Sequence, residues 1–217
     1  EAPACAVQEE GSSELPLVFN EIMARNDGVL VDPADNKDDE DWVELYNPSN
    51  QTIDLQGLYL SDRLGNLTKH RITESLTIEP FGFLILFADD DVEQGPNHLS
   101  FQLSNSGEVI ALTESDGVTL IDSCIFEAPQ ENLPIGRLPD GGEWKHLSSA
   151  TPGRHNVFDP IIQEVRNLPD IPDPQEFTAI NAMVVDDESV RQVTLFYSTT
   201  NLHTMSTTNM VDVMMTE

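Results

Sequence analysis

Apolar and polar side chains alternate most clearly over Asp41-Trp42-Val43-Glu44-Leu45-Tyr46-Asn47, a run that stops at Pro48. A period of two in a stretch rich in Trp, Val and Tyr, closed by a turn residue, predicts a β-strand. Trp42, Glu44 and Tyr46 then share one face, and Val43, Leu45 and Asn47 the other. Glu44 falls between two aromatics, where a carboxylate requires backbone donors, a cation or a metal as its partner. Residues 15–24, 53–62, 108–113 and 118–126 read as further strands, with Gly57 marking a bend inside the second. Residues 83–88 are apolar on both faces and predict a central strand. Asp116-Gly117 predicts a hairpin turn. The Asn-, Asp- and Gly-rich residues 25–41 predict a long exposed loop, and Asp89-Asp90-Asp91 opens another. After residue 126 turn residues dominate, among them Pro134, Gly136, Pro139 and Gly141-Gly142. Many short strands without a sustained 3.6-residue period predict an all-β sandwich or barrel.

Changes of texture divide the chain. Residues 1–15 are small, polar and acidic, and read as a disordered N-terminal tether. The β-sandwich spans residues 16–156. Residues 157–175 carry four prolines within 160–174 and predict a semi-rigid linker. Residues 176–217 hold three candidate strands, 176–185, 190–198 and 208–215. Three strands leave too much edge for a sandwich, so this segment reads as a partial second β-domain continuing beyond Glu217.

Charge narrows the partners. Across 217 residues, 10 Lys and Arg face 39 Asp and Glu, for a formal charge of -29. Such an excess repels phosphate backbones, so no nucleic-acid site is expected. No apolar run is long enough to cross a bilayer. The chain begins with Glu1 rather than Met and reads as processed or trimmed. Two cysteines, Cys5 and Cys124, leave two readings open. One is a bridge tying the tail to the core. The other is lipidation of Cys5, because Ala2-Pro3-Ala4-Cys5 is similar to the small-residue end of a bacterial lipoprotein signal.

Catalytic patterns are missing. The five histidines are scattered and read as surface groups, and neither H-E-x-x-H nor G-x-S-x-G occurs. Metal binding is the sharpest chemical expectation, with Ca²⁺ favoured by the abundance of oxygen donors. The donor sets are Asp32, Asp35, Asp38, Asp39, Glu40 and Asp41 in one loop and Asp89, Asp90 and Asp91 in another. Asn20, Glu21, Glu44 and Asn47 form a third set if the first two strands are neighbours. Glu21, Glu44, Asp39, Asp41 and Asp89 are the metal candidates taken from these sets. The competing readings are a solvated acidic loop and carboxylates satisfied by backbone donors or basic side chains. Trp42 and Tyr59, with Tyr46, are candidates for a ligand-stacking platform, against the alternative that they are core aromatics.

An ordered set of blocks carries a family resemblance. Val18-Phe19-Asn20-Glu21-Ile22-Met23-Ala24 comes first, followed by Asp41-Trp42-Val43-Glu44-Leu45-Tyr46-Asn47 and Asp54-Leu55-Gln56-Gly57-Leu58-Tyr59-Leu60-Ser61-Asp62. Phe81-Gly82-Phe83-Leu84-Ile85-Leu86, Leu103-Ser104-Asn105-Ser106-Gly107-Glu108, Pro139-Asp140-Gly141 and Thr151-Pro152-Gly153-Arg154-His155-Asn156 complete it. Together they resemble the lamin-tail domain found in secreted and surface proteins of bacteria. The resemblance implies an immunoglobulin-like β-sandwich that serves interaction or anchoring and lacks a catalytic set. The second segment is similar to the start of an immunoglobulin- or fibronectin-like repeat. The expectation is a non-enzymatic, secreted or cell-surface module, acting as an envelope-complex subunit that binds other envelope or surface proteins through loops and strand edges. Two alternatives stand beside it: the non-catalytic front of a larger secreted hydrolase or spore-coat-kinase-like protein, and a calcium-dependent carbohydrate-binding module.

Overall fold

Both faces of the strand β3 (Asp41–Tyr46) are buried, and each enters a different core. Val43 and Leu45 join a large cluster, whereas Trp42 joins a smaller one with Met23 and Phe87. The computed structural model describes residues 5–6, 13–37, 39–156, 161–168, 179–185, 193–197 and 209–213, so Asp38 lies outside the described residues. The chain divides into two units, Glu1–Val157 and Phe158–Glu217.

The first unit holds two five-stranded sheets. In one, β1 (Cys5–Ala6), β10 (Leu120–Glu127), β9 (Gly107–Thr113), β5 (Tyr59–Ser61) and β6 (His70–Arg71) lie side by side in that order. In the other the order is β12 (Glu143–His146), β11 (Ile135–Leu138), β2 (Val18–Met23), β3 and β8 (Phe83–Ala88). A short pair, β4 (Ile53–Asp54) and β7 (Thr77–Ile78), stands apart from both. All named pairings are antiparallel. Leu60, Ile110, Leu112 and Cys124 of the first sheet share one core with Phe19, Ile22, Val43, Leu45 and Leu86 of the second. The result is a β-sandwich, one of the two architectures that the alternating pattern predicts, and of the immunoglobulin-like kind that the family resemblance implies. Arg137 ties the layers together with polar contacts. Its Nη2 donates to both carboxylate oxygens of Asp122 at 2.9 and 3.0 Å, and its Nε donates to the Phe19 carbonyl at 2.9 Å.

Several elements depart from the sequence reading. Residues 53–62 form two strands in different sheets, broken at Gly57, whose φ of 96° is open to glycine at little cost. Residues 135–138 and 143–146 form a hairpin that extends the second sheet onto β2, although their Pro- and Gly-rich surroundings read as turns. β8 lies at the sheet edge rather than its centre. It is apolar on both faces for another reason. Leu86 and Ala88 face the main core, and Phe87 and Ile85 pack in the small cluster with Trp42 and Leu30, the last from the 25–41 loop. A loop laid over the outer face buries the Leu86–Ala88 half of this edge strand, while Phe83–Ile85 stay half-buried.

The N-terminal tether also acquires structure. Cys5 and Ala6 pair with Phe126 and Ile125, and Cys5 is bonded to Cys124 across a Cα–Cα distance of 5.4 Å. A sulfur held in a disulfide carries no thioether lipid, so the bridge replaces the lipidation reading of Cys5.

In the second unit β13 (Ile161–Leu168) pairs with β14 (Ala179–Val185), and β15 (Val193–Tyr197) with β16 (Asn209–Val213). The segment read as a linker thus contains a strand. Pro160 and Pro169 bracket eight proline-free residues, which leaves room for ladder hydrogen bonds.

Candidate functional site

Two groups of buried polar residues and one open strand edge lie on or beside the second sheet. The first is centred on two carboxylates. Glu21 of β2 stands opposite Glu44 of β3, next to a register shift between Phe19 and Glu21, and both side chains are fully buried. Glu44 accepts from Asn20 Nδ2 at 3.2 Å and from the Gly153 amide at 2.6 Å. Glu21 accepts the Thr151 amide at 3.1 Å, with the Thr151 hydroxyl 2.9 Å from its other oxygen. That hydroxyl also lies 2.5 Å from Asn156 Oδ1, and it has one proton for two acceptors. Both contacts become hydrogen bonds when Glu21 carries a proton. Burial pushes Glu21 up to about 7, against the lowering effect of the Thr151 donors. Burial likewise pushes Glu44 up to about 8, with the Glu21 charge adding to the rise.

The segment Thr151–Asn156 is therefore sewn to the centre of the sheet. Asn156 Nδ2 donates to the Asn20 and Arg137 carbonyls at 3.1 and 2.8 Å, and its amide donates to Asp140 Oδ1 at 2.9 Å. His155 Nδ1 lies 2.5 Å from Asp140 Oδ2. Gly136 leaves room for this joint, because a Cβ there would sit 2.5 Å from Leu147 Cδ1 and 2.9 Å from Asn156 Nδ2.

The second group gathers Asp32, Asp89 and His98, all buried, with one ligand atom of each within 4.8 Å of the others. His98 Nδ1 lies 2.6 Å from Asp89 Oδ2 and 3.9 Å from Asp32 Oδ2. Asp32 Oδ1 accepts the Ala34 amide at 2.8 Å, while its Oδ2 is buried without a hydrogen-bond partner.

The third feature is the outer edge of β8. The Phe87 amide donates to the Asn97 carbonyl at 2.9 Å, and the Leu99 amide donates to the Phe87 carbonyl at 2.8 Å. The backbone of Phe87 thus faces away from β3. Alternation along an antiparallel strand turns the backbone groups of Phe83 and Ile85 the same way. Among the described residues no strand pairs with that edge at Phe83–Ile85, where the side chains of Phe83, Leu84 and Ile85 are half-buried.

The metal candidates are scattered among these features. Glu21, Glu44 and Asn20 come together but find donors within the chain. Asn47 is apart from them, its Nδ2 donating to the carbonyls of Gln51, Ile78 and Glu79. Asp39 is exposed and Asp41 half-buried, and both line an open depression of about 420 Å³ with Asp27 and Glu131. Burial raises Asp41 to about 6, against the Asn26 amide that it accepts. Asp89 alone reaches a compact donor set, with Asp32, 57 positions before it in the sequence, and His98, 9 positions after it. His98, read as a surface group, is 2% exposed; its ring stacks on Phe87 at 5.4 Å. No spacing signal marks it, since nothing in the sequence tells which of several loops folds back on Phe87.

The stacking platform does not form. Trp42 is 0% exposed and lies in the second sheet, whereas half-buried Tyr59 lies in the first beneath the Arg71 guanidinium at 5.8 Å. Tyr46 is buried and stacks on Phe83 at 4.9 Å.

A family model described as Lamin Tail Domain matches residues 11–127. The match ends at β10, yet β11, β12 and the segment to Asn156 complete the same unit. No curated protein matches the chain.

Proposed function

The chain belongs to the lamin tail domain family, a non-catalytic immunoglobulin-like interaction module, and on that premise we propose that it binds a partner protein by adding an extended, basic segment of that partner alongside β8. The observation that carries this reading is the open edge at Phe83–Ile85, with outward backbone groups and half-buried apolar side chains. An added strand satisfies the main-chain groups and sets its alternate side chains against the apolar ones. The formal charge of -29 favours a basic segment over an acidic one. The module acts outside the cytoplasm, on a cell surface or within an envelope assembly. The Cys5–Cys124 bridge supports that location, because disulfides persist where the surroundings are oxidising. No helix among the described residues is long and apolar enough to cross a membrane.

A synthetic peptide alternating Lys and Val is a direct probe. Titrated into the isotope-labelled chain, it is expected to shift the amide resonances of Phe83 and Ile85 most, and to bind more weakly as salt is raised. Ile85→Pro removes an outward N–H without breaking the ladder to β3 and should abolish binding while the circular dichroism spectrum stays unchanged. Shifts centred on another surface would contradict the proposal.

A further inference from the structure

We propose that Asp32, Asp89 and His98 form a binding site for a zinc-class divalent transition ion that pins the 25–41 loop to the end of β8. Each ligand is fixed by its own backbone before any ion arrives. Asp32 is held by a tight turn: its amide donates to the Lys37 carbonyl at 2.7 Å and its carbonyl accepts from the Asn36 amide at 2.8 Å. Asp89 follows β8 directly, its Oδ1 accepting the Asp91 amide at 3.0 Å and its carbonyl the Gln102 side chain at 3.3 Å. His98 is set by the bridge between its backbone and Phe87 and by ring stacking on the same residue.

The unpartnered oxygen is what points to an ion. A carboxylate oxygen with no donor, in a fully buried residue, costs free energy that the fold has no evident reason to bear. Asp32 Oδ2 faces an imidazole nitrogen already shared with a second carboxylate. One proton on Nδ1 cannot serve both oxygens, but one divalent cation can.

The geometry needs little adjustment. Zinc bonds of about 2.0–2.2 Å in a tetrahedron place ligand atoms roughly 3.3 Å apart. The Asp89–His98 contact of 2.6 Å must open slightly, and the Asp32–His98 separation of 3.9 Å must close slightly. Imidazole nitrogen with two carboxylates suits zinc and its neighbours, whereas calcium takes six to eight oxygens. Three protein ligands leave a fourth position for water. The inference is independent of the proposed partner-binding edge, since neither needs the other.

The test uses the full chain, stripped with chelator and titrated with Zn²⁺ or Ca²⁺ in a calorimeter. The expected result is one zinc per chain, a Tm raised by several degrees at excess zinc, and no heat from calcium. Asp32→Asn should stay folded and weaken zinc binding by at least the ~10–100-fold typical of losing even an outer-shell partner. A folded Asp32→Asn variant that binds zinc as tightly as the parent would overturn the proposal, as would calcium binding in preference to zinc. Should the variant fail to fold, Co²⁺ added to the parent chain decides: tetrahedral absorption bands support the site, and an octahedral spectrum overturns it.

Discussion

Glu21 and Glu44 make the stability of the sandwich depend on pH. Their folded values, about 7 and about 8, stand above the ordinary 4.5 because burial disfavours the charged form. Between those limits the folded state binds more protons than the unfolded chain. Stability is therefore fully present below about pH 4.5 as far as these two groups are concerned, and falls as pH rises through 7 to 8. One unit of pKa difference corresponds to about 1.4 kcal/mol, so the pair is expected to cost several kcal/mol at alkaline pH. Glu44→Gln keeps an acceptor for the Gly153 amide and carries no charge. Urea unfolding at about pH 5 and about pH 9 should find the variant more stable than the parent at the higher pH, with a flatter dependence. An unchanged slope would mean that Glu44 is ionised in the fold. The sequence shows Glu44 between aromatics and therefore in need of partners. It does not show that the partners are Asn20 and Gly153, because the second comes from a segment 109 residues away.

At the scale of elements, strands with a strict period of two were legible and short ones flanked by turn residues were not. β3, β9 and β10 carry enough alternating Val, Ile and aromatic residues to declare themselves. β11 and β12 are four residues each, and Gly136 and Lys145 interrupt their pattern; pairing of β11 with β2, and of β12 with β11, makes them strands. The misplacement of β8 has a physical lesson. Two apolar faces mean burial on two sides, and a folded loop supplies one of them as well as a strand does. The 25–41 loop is no mere solvated run. Asn26 organises it, its Nδ2 donating to the Leu30 and Glu40 carbonyls and its Oδ1 accepting the Val29 and Leu30 amides. Asp32 and Leu30 are thereby brought to the sheet, so the same local hydrogen bonds that make the loop compact also assemble the proposed ion site. The acidic composition was visible in the sequence; the histidine that joins it was not.

For the whole molecule, the Cys5–Cys124 bridge joins residues 119 apart in sequence and secures a two-residue edge strand that would otherwise have little to hold it. Closing so long a loop restrains the unfolded chain, and Cys5→Ser is expected to lower the unfolding free energy by about 2–4 kcal/mol, measured by denaturant titration under non-reducing conditions. The two sheets end in β1 and β6 and in β12 and β8, and the Phe83–Ile85 edge of β8 is the one proposed for binding. Residue-resolved hydrogen exchange along β8 tests that assignment most directly. The predicted result alternates: slow exchange at Leu84, Leu86 and Phe87, fast exchange at Phe83 and Ile85. Uniform protection of all five amides in the free protein would show that the edge is already covered and would contradict the account.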